Sequence, residues 1–310
     1  MARLVTLIGG SGFLGTALVE QLARTGARIR VMVRRPSAAQ HVKPLGELGQ
    51  IQLMAGDIRS EADLAAALEG AGAAVNLVGI LAPSAGASFE AIHMFGAELA
   101  ADVARRKGVE RFLHVSAIGA DPGSPSAYGR TKGEGEARVR RALPAATIVR
   151  PSLVFGPRDG FTNRFAALVA SPAPVVPMIA PRTRFQPVFV RDAADGIARA
   201  LDRPGETFEF GGPEVVTMRE IFERLLEWTG RRKRLLELPD AAAGLIAAFG
   251  FLPGAPLTRD QWRMLQRDNV VSGTCPTLEA LGITPTPMGA VAPQWLERFR
   301  PGGRFAPLRA

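Results

Sequence analysis

Six times in the first 156 residues a short β-rich run recurs, and helical stretches or glycine turns fill the gaps between the runs. This alternation limits the fold more than any other feature of the chain. The runs are RLVTLIGG (3–10), RIRVMVRR (28–35), IQLMAGD (51–57), AAVNLVG (73–79), RFLHVSA (111–117) and ATIVRPSLVFG (146–156). GTALVEQLARTG (15–26) has apolar residues at helical intervals and stops at Gly26. SEADLAAALEG (60–70) opens on a Ser60 cap with Asp63 in its first turn and ends at Gly70. Residues 89–107 and the stretch carrying Tyr128 read as two more helices. Strands alternating with helices of this size predict a parallel sheet covered on both faces.

After Gly156 the pattern weakens. SPAPVVPMIAPRTRFQP (171–187) holds too many prolines for a central strand or a helix interior. FVRDAADGIARAL (189–201) predicts one more sheet-covering helix, and TFEFGGP (207–213) one more strand. The expected fold class is α/β: a Rossmann-type doubly wound parallel sheet with a smaller, mostly helical C-terminal lobe. The sheet domain takes residues 1–156 and 187–213. The lobe, 157–186 and 214–310, is expected to close over a bound ligand. Within it AAAGLIAAFGFLPGAP (241–256) is apolar but short and broken by Gly and Pro, which favours a core helix over a membrane-surface or partner contact.

Composition narrows the function classes. At 310 residues and 47% hydrophobic, the chain can bury a sizeable core. One cysteine, Cys275, excludes an internal disulfide framework and fits a reducing compartment. MARLVTLIGG lacks the zones of a secretory signal, and no apolar run reaches the roughly 20 residues of a membrane span. The formal charge of +9 favours acidic partners: a phosphate-bearing cofactor, an acidic protein or anionic lipid. With no zinc-ligand spacing and aromatics at only 6%, nucleic acid and a metal centre are not expected.

GGSGFLG places Gly9, Gly12 and Gly15 between the first strand and the first helix. In such a turn the first glycine permits the tight bend and the second lets the backbone approach a pyrophosphate. The third lets helix and strand pack closely. The helix start then offers free N–H groups and a positive dipole end. Gly9, Ser11, Gly12, Phe13, Leu14 and Gly15 are therefore the expected phosphate-binding stretch. The second strand ends in Arg34-Arg35, where an NAD-preferring chain carries an acidic residue for the ribose hydroxyls. Guanidinium groups suit a ribose phosphate instead, through charge-assisted paired bonds, so NADP(H) is the expected cofactor. Ligands of doubly wound sheets lie at the carboxyl ends of strands. That rule adds Asp57 and Ile58 after strand three, Leu77, Val78 and Gly79 after strand four, and Ser116 after strand five.

Tyr128 is the only tyrosine, and Lys132 follows at i+4, on the same helix face. A nearby ammonium is expected to lower the phenol pKa from its usual value near 10. Such a pair can move a proton at a carbonyl or hydroxyl, and the lysine can hold ribose hydroxyls.

GGSGFLG, VNLVG, HVSAIGA, YGRTK and VRPSLVFG, in this order, resemble the extended or atypical short-chain dehydrogenase/reductase superfamily over roughly the first half of the chain. The resemblance implies nicotinamide contacts from Tyr128, Lys132, Pro151 and Ser152. HVSAIGADPGSPSAYGRTKGEGE, VRPSLVFGPRDGFTNRFA, TRFQPVFVRDAADGIA and LTRDQWRMLQRDNVVS resemble, more specifically, the NADPH-binding accessory subunits of respiratory complex I and their bacterial relatives. That resemblance implies a mainly structural nucleotide and complex I subunits near the junction of hydrophilic arm and membrane as partners. It implies a peripheral place on the cytoplasmic side of a bacterial inner membrane. Active superfamily members carry a hydroxyl residue a position or two into the turn after strand five; here the run is Ser116-Ala117-Ile118, and if Ser116 is the last strand residue an apolar side chain takes the substrate-facing place. Ser124 or Ser126 is the alternative source of that hydroxyl. Two other readings stand beside the accessory subunit: a stand-alone NADP-dependent oxidoreductase or sugar-nucleotide epimerase using Tyr128 and Lys132, and a redox-sensing regulator. His93 is expected on a helix surface and His114 within a strand.

Overall fold

The computed structural model describes residues 3–84, 86–248, 250 and 257–303. It divides into two compact units. The first comprises residues 1–151, 190–210 and 272–284. Its centre is a seven-stranded sheet built from β1 (Leu4–Ile8), β2 (Arg28–Val33), β3 (Ile51–Ala55), β4 (Ala73–Asn76), β5 (Arg111–Val115), β6 (Thr147–Pro151) and a last strand, Thr207–Phe210. The order across the sheet is Thr207–Phe210, β6, β5, β4, β1, β2, β3, and every neighbouring pair is parallel. The chain starts at β1, winds out to β3, then crosses back to β4 and winds the other way. The order therefore reverses between β1 and β4, where a doubly wound sheet opens a crevice.

The strands read as they do because both sheet faces are covered. In β1, Val5, Leu7 and Ile8 are all buried, a run that a one-sided sheet would not use. On one face lie α2 (Glu61–Leu68), α3 (Ala97–Arg106) and α4 (Ala127–Ala142), packed in sequence. On the other, α1 (Phe13–Arg24) packs against the helix Val190–Ala200, where the Gln21 amide donates to Asp195 at 2.9 Å. Ser60 caps α2 by accepting from the Asp63 N–H.

Two features depart from the sequence pattern. The run 146–156 splits: Thr147–Pro151 stays in the sheet, whereas Val154–Phe155 pairs with Val188–Phe189 in the second unit. Residues 272–284, placed by sequence in the smaller lobe, fold with the first unit. The Glu209 N–H bonds the Pro276 carbonyl there at 3.0 Å, and Leu278 is fully buried.

The second unit comprises residues 152–189, 211–271 and 285–310. It is mostly short helices with three two-stranded ladders. Phe165 packs on Phe161 and Phe222 at centroid distances of 4.6 and 4.8 Å, within a core that includes Val176, Ile221 and Leu296. The proline-rich 171–187 forms only short ladder strands, Val175–Met178 beside Arg234–Glu237 and Arg184–Phe185 beside Val216–Thr217. Of the apolar 241–256, the helix Asp240–Ala248 buries Ala243 and Ala247 and leaves Leu245 and Ile246 exposed. Residues 249 and 251–256 lie outside the described residues. Among the described residues no helix is long and apolar enough to cross a membrane.

Candidate functional site

The turn after β1 shows why its glycines are there. Gly9 has φ +84, a left-handed conformation, and a Cβ on it would lie 2.7 Å from the Val78 side chain. A Cβ on Gly15 would strike the Gly10 backbone at 2.6 Å, so helix and turn can meet only without one. Gly12 differs. It is the N-cap of α1 with extended backbone and no side-chain cap, and the nearest atom to its would-be Cβ is the Gly9 carbonyl oxygen at 4.0 Å. The protein therefore does not require glycine at position 12, whereas a phosphate seated on the open N–H groups of α1 would. These residues fit a dinucleotide. Ser11, Phe13 and Leu14 complete the turn, and all three are partly buried. The Thr16 hydroxyl donates to the Gly12 carbonyl at 2.8 Å and stiffens it.

Arg34 and Arg35 lie immediately past β2, both exposed. Neither guanidinium makes an ion pair among the described residues. Asp57, past β3, is committed elsewhere. Its Oδ1 accepts from the Arg59 N–H and Nε at 2.9 Å each, and its Oδ2 from Arg59 Nη2 at 2.6 Å. Arg59, with a smaller contribution from Arg34, holds the carboxyl down at a pKa of about 2. Arg59 also donates to the Gly86 carbonyl. Ile58 is a core residue, packed among the side chains under α2 and α3.

At the end of β4, Asn76 organises the next loop. Its Oδ1 accepts from the Val78 N–H at 3.1 Å, and its amide donates to His114 Nδ1 at 3.1 Å. The Leu77 N–H continues the β1 ladder onto Ile8 at 2.9 Å. Gly79 is exposed, and a Cβ there would stand 3.3 Å from Lys132 Nζ. The lysine thus reaches this loop because position 79 carries no side chain.

Tyr128 and Lys132 lie on α4 as the i, i+4 spacing requires. Tyr128 is partly buried, edge-on to His93 at 5.5 Å and to Phe89 at 6.1 Å between centroids. Lys132 is 4% exposed and donates to the Val115 carbonyl at 3.1 Å. Burial dominates both titrations. It pushes the phenol up to about 12 and the ammonium down to about 8, the latter against the pull of Glu136. The expected lowering of the tyrosine is therefore overturned: burial raises the phenol instead. Glu136, one turn on, is held by Arg150 at 2.6 Å.

Strand β5 ends at Val115, but its ladder runs on, since the Ser116 N–H bonds Val149 and the Ile118 N–H bonds Pro151. The Ser116 hydroxyl is buried without a protein partner among the described residues. The oxygens of the alternative hydroxyls accept backbone N–H groups. Ser126 caps α4 by accepting from the Gly129 N–H, and Ser124 Oγ accepts from the Ser126 N–H at 3.3 Å. Pro151 closes β6 and accepts from Ile118 at 3.0 Å. Ser152 begins the second unit, where its hydroxyl donates to Asn269 Oδ1 at 2.7 Å.

His114 lies in its strand, wholly buried, as expected. His93 does not lie on a helix surface. It is 1% exposed, and residues 90–96 form a π-helix leading into α3. Position 93 lies four residues from the buried Phe89 and Ala97, on the same inward stripe, so helical spacing already points it inward and only its polar side chain suggests a surface.

A family of NAD(P)H-binding domains matches residues 9–160, and the RmlD substrate binding domain family matches residues 118–235. Subunit 9 of the mitochondrial NADH dehydrogenase (ubiquinone) 1 alpha subcomplex of Arabidopsis thaliana is 33% identical, covering 96% of this chain and 78% of that protein. A ceramide reductase of Caulobacter vibrioides is 32% identical over 81% of this chain and 80% of its own length. Among solved structures, the Bordetella bronchiseptica enzyme WbmH in complex with NAD+ shares the fold at a TM-score of 0.70 and 16% identity, covering 96% of this chain and 98% of that one. A nicotinamide cofactor is therefore the ligand class of the site. With a relative at one-third identity over 96% of this chain and the glycine turn, Tyr128 and Lys132 in place, the chain belongs to the atypical, extended short-chain dehydrogenase/reductase superfamily, in the family of the complex I accessory subunit and its bacterial relatives.

Proposed function

We propose that this chain is an NADP(H)-binding accessory subunit of respiratory complex I that holds its nucleotide mainly as a structural ligand. The observation that carries the choice of NADP(H) is the pair of uncommitted guanidinium groups past β2, Arg34 and Arg35, together with Asp57 already neutralised by Arg59. A 2′-phosphate meets positive charge here, and no free carboxylate repels it. In this reading Gly9, Ser11, Gly12, Phe13, Leu14 and Gly15 take the pyrophosphate, and Leu77, Val78 and Gly79 line the nicotinamide half. Lys132 holds the nicotinamide ribose, with Ser116 and Pro151 of the same unit. A bound nicotinamide supplies hydride chemistry. Ala117 and Ile118 carry no hydroxyl to orient a substrate oxygen, the Ser126 and Ser124 oxygens accept backbone N–H groups at the start of α4, and the Ser116 hydroxyl has no partner among the described residues. Partners are then complex I subunits near the junction of hydrophilic arm and membrane, with the chain peripheral on the cytoplasmic side of a bacterial inner membrane and in reach of anionic lipid.

The second reading, a stand-alone NADP-dependent oxidoreductase, is favoured by the ceramide reductase relative and by the retained Tyr128 and Lys132. There the phenol, uncharged at neutral pH, donates the proton. Gentle extraction from native membranes, followed by sizing and identification of co-migrating proteins, separates the two. Migration with complex I subunits supports the accessory reading. A free protein that turns over NADPH with a ketone, aldehyde or ceramide-type lipid refutes it.

A further inference from the structure

His93 is fixed in one tautomer by its two partners. The Ile80 N–H donates to Nε2 at 3.0 Å, so that nitrogen carries the lone pair. The Thr131 hydroxyl gives its own proton to the Ala127 carbonyl at 2.8 Å, which leaves its oxygen to accept from Nδ1–H at 3.1 Å. Burial and the charge of Lys132 keep the ring neutral, with a pKa of about 3, so both bonds persist at every physiological pH. One imidazole thus joins two elements. Ile80 belongs to the loop after β4, next to Gly79. Thr131 belongs to α4, next to Lys132.

The backbone around His93 is built to allow this. A Cβ on Gly135 would lie 2.1 Å from the His93 carbonyl oxygen, so the π turn can press against α4 only at a glycine. Ala127, Thr131 and Gly135 recur at four-residue intervals and share one face of α4, while Tyr128, Lys132 and Glu136 form the neighbouring stripe. The would-be Cβ of Gly79 is 3.9 Å from His93 Nε2 and 3.3 Å from Lys132 Nζ, so loop, imidazole and ammonium converge on one point.

We propose that His93 is a positioning residue that pins the loop 77–80 to the helix carrying Tyr128 and Lys132, and so sets the gap into which the nicotinamide ribose must fit. The nucleotide part of this rests on the NADP(H) reading; the pin itself does not.

Three variants test it. His93→Gln keeps an acceptor near the position of Nε2 and can restore the bond to Ile80; it gives up the donor to Thr131, while the backbone of residue 93 stays packed on α4 at Gly135. His93→Asn reaches only as far as Nδ1, keeping Thr131 and losing Ile80. His93→Leu removes both. Two measurements are made on each: amide exchange of Ile80 in the stripped protein, and NADPH affinity by calorimetry. The expected result is a protected Ile80 amide in wild type and His93→Gln, and an unprotected one in His93→Asn and His93→Leu. NADPH affinity should fall about tenfold in the last two, the loss of roughly one hydrogen bond, and stay within about threefold in the glutamine variant. Equal Ile80 protection and equal affinity in the asparagine and glutamine variants would overturn the pin, even if the leucine variant fails to fold. If wild type binds no NADPH, the nucleotide reading fails, and exchange at Ile80 alone still decides the pin.

Discussion

Lys132→Met should make the nucleotide-free protein more stable at neutral pH while weakening NADPH binding. The lysine is 4% exposed, has one protein acceptor, and its pKa falls from 10.5 to about 8. At about 1.36 kcal/mol per pH unit, carrying that charge in the folded state at pH 7 costs about 3 kcal/mol. Removing the lysine also removes its bond to Val115, worth about 0.5–1.5 kcal/mol, so the net gain is about 2 kcal/mol. The sign with pH follows from a base depressed by folding. The unfolded chain binds more protons between pH 8 and 10.5, so wild-type stability rises across that window, and the penalty is complete below pH 8. Tyr128 acts oppositely, raised from 10 to about 12, and lowers stability only above pH 10. Urea unfolding of the stripped proteins at pH 7 and pH 9.5 is the assay. The variant's advantage should shrink by about 2 kcal/mol between the two. A variant less stable than wild type at pH 7, or an advantage that does not change with pH, would refute the claim that the ammonium is desolvated. With NADPH present the order should reverse, because the charged donor to the ribose is gone.

Arg34→Ala and Arg35→Ala should each weaken NADPH by about 1.5–3 kcal/mol and leave NADH nearly unchanged; calorimetry with both nucleotides checks it, and equal losses would count against a 2′-phosphate site. Saturating NADPH at a thousandfold excess over its dissociation constant should add about 4 kcal/mol to stability. Gly12→Val should abolish that gain without lowering the melting point of the stripped protein. Tyr128→Phe should leave the melting point within a few degrees and, in the accessory reading, cost NADPH about 0.5–1.5 kcal/mol. Steady NADPH oxidation by wild type that vanishes in this variant would instead make Tyr128 a general acid.

Much of the fold is legible because its signals are local. A buried strand, a glycine turn and a capped helix announce themselves within a dozen residues, and the order of motifs then fixes the winding. What escapes are the effects of residues distant in sequence. Nothing near Cys275 shows that residues 272–284 complete the sheet unit, since that depends on a bond between Glu209 and Pro276. His93 reads as a surface residue because imidazole is polar, and its burial depends on ring partners 13 and 38 residues away, Ile80 and Thr131. Asp57 and Ser126 were legible in type but not in use. Arg59 stands two residues from Asp57, and the Ser-x-x-Gly spacing at the start of α4 hints at a cap, yet only the geometry shows those groups already engaged. The pKa of Tyr128 was the hardest to foresee, because sequence shows the neighbouring charge and hides the missing water.

Gly12 and Gly15 stand three residues apart and answer to different masters. At Gly15 a side chain collides with the chain itself, whereas at Gly12 it meets open space. Descendants of this protein that stopped binding a nucleotide would still have to keep Gly15 to fold, but selection on Gly12 would lapse. Position 12 would then drift to alanine, serine or larger residues while position 15 stayed fixed. A set of relatives sorted by those two positions alone would therefore record where in the lineage the ligand was lost, without a single binding measurement.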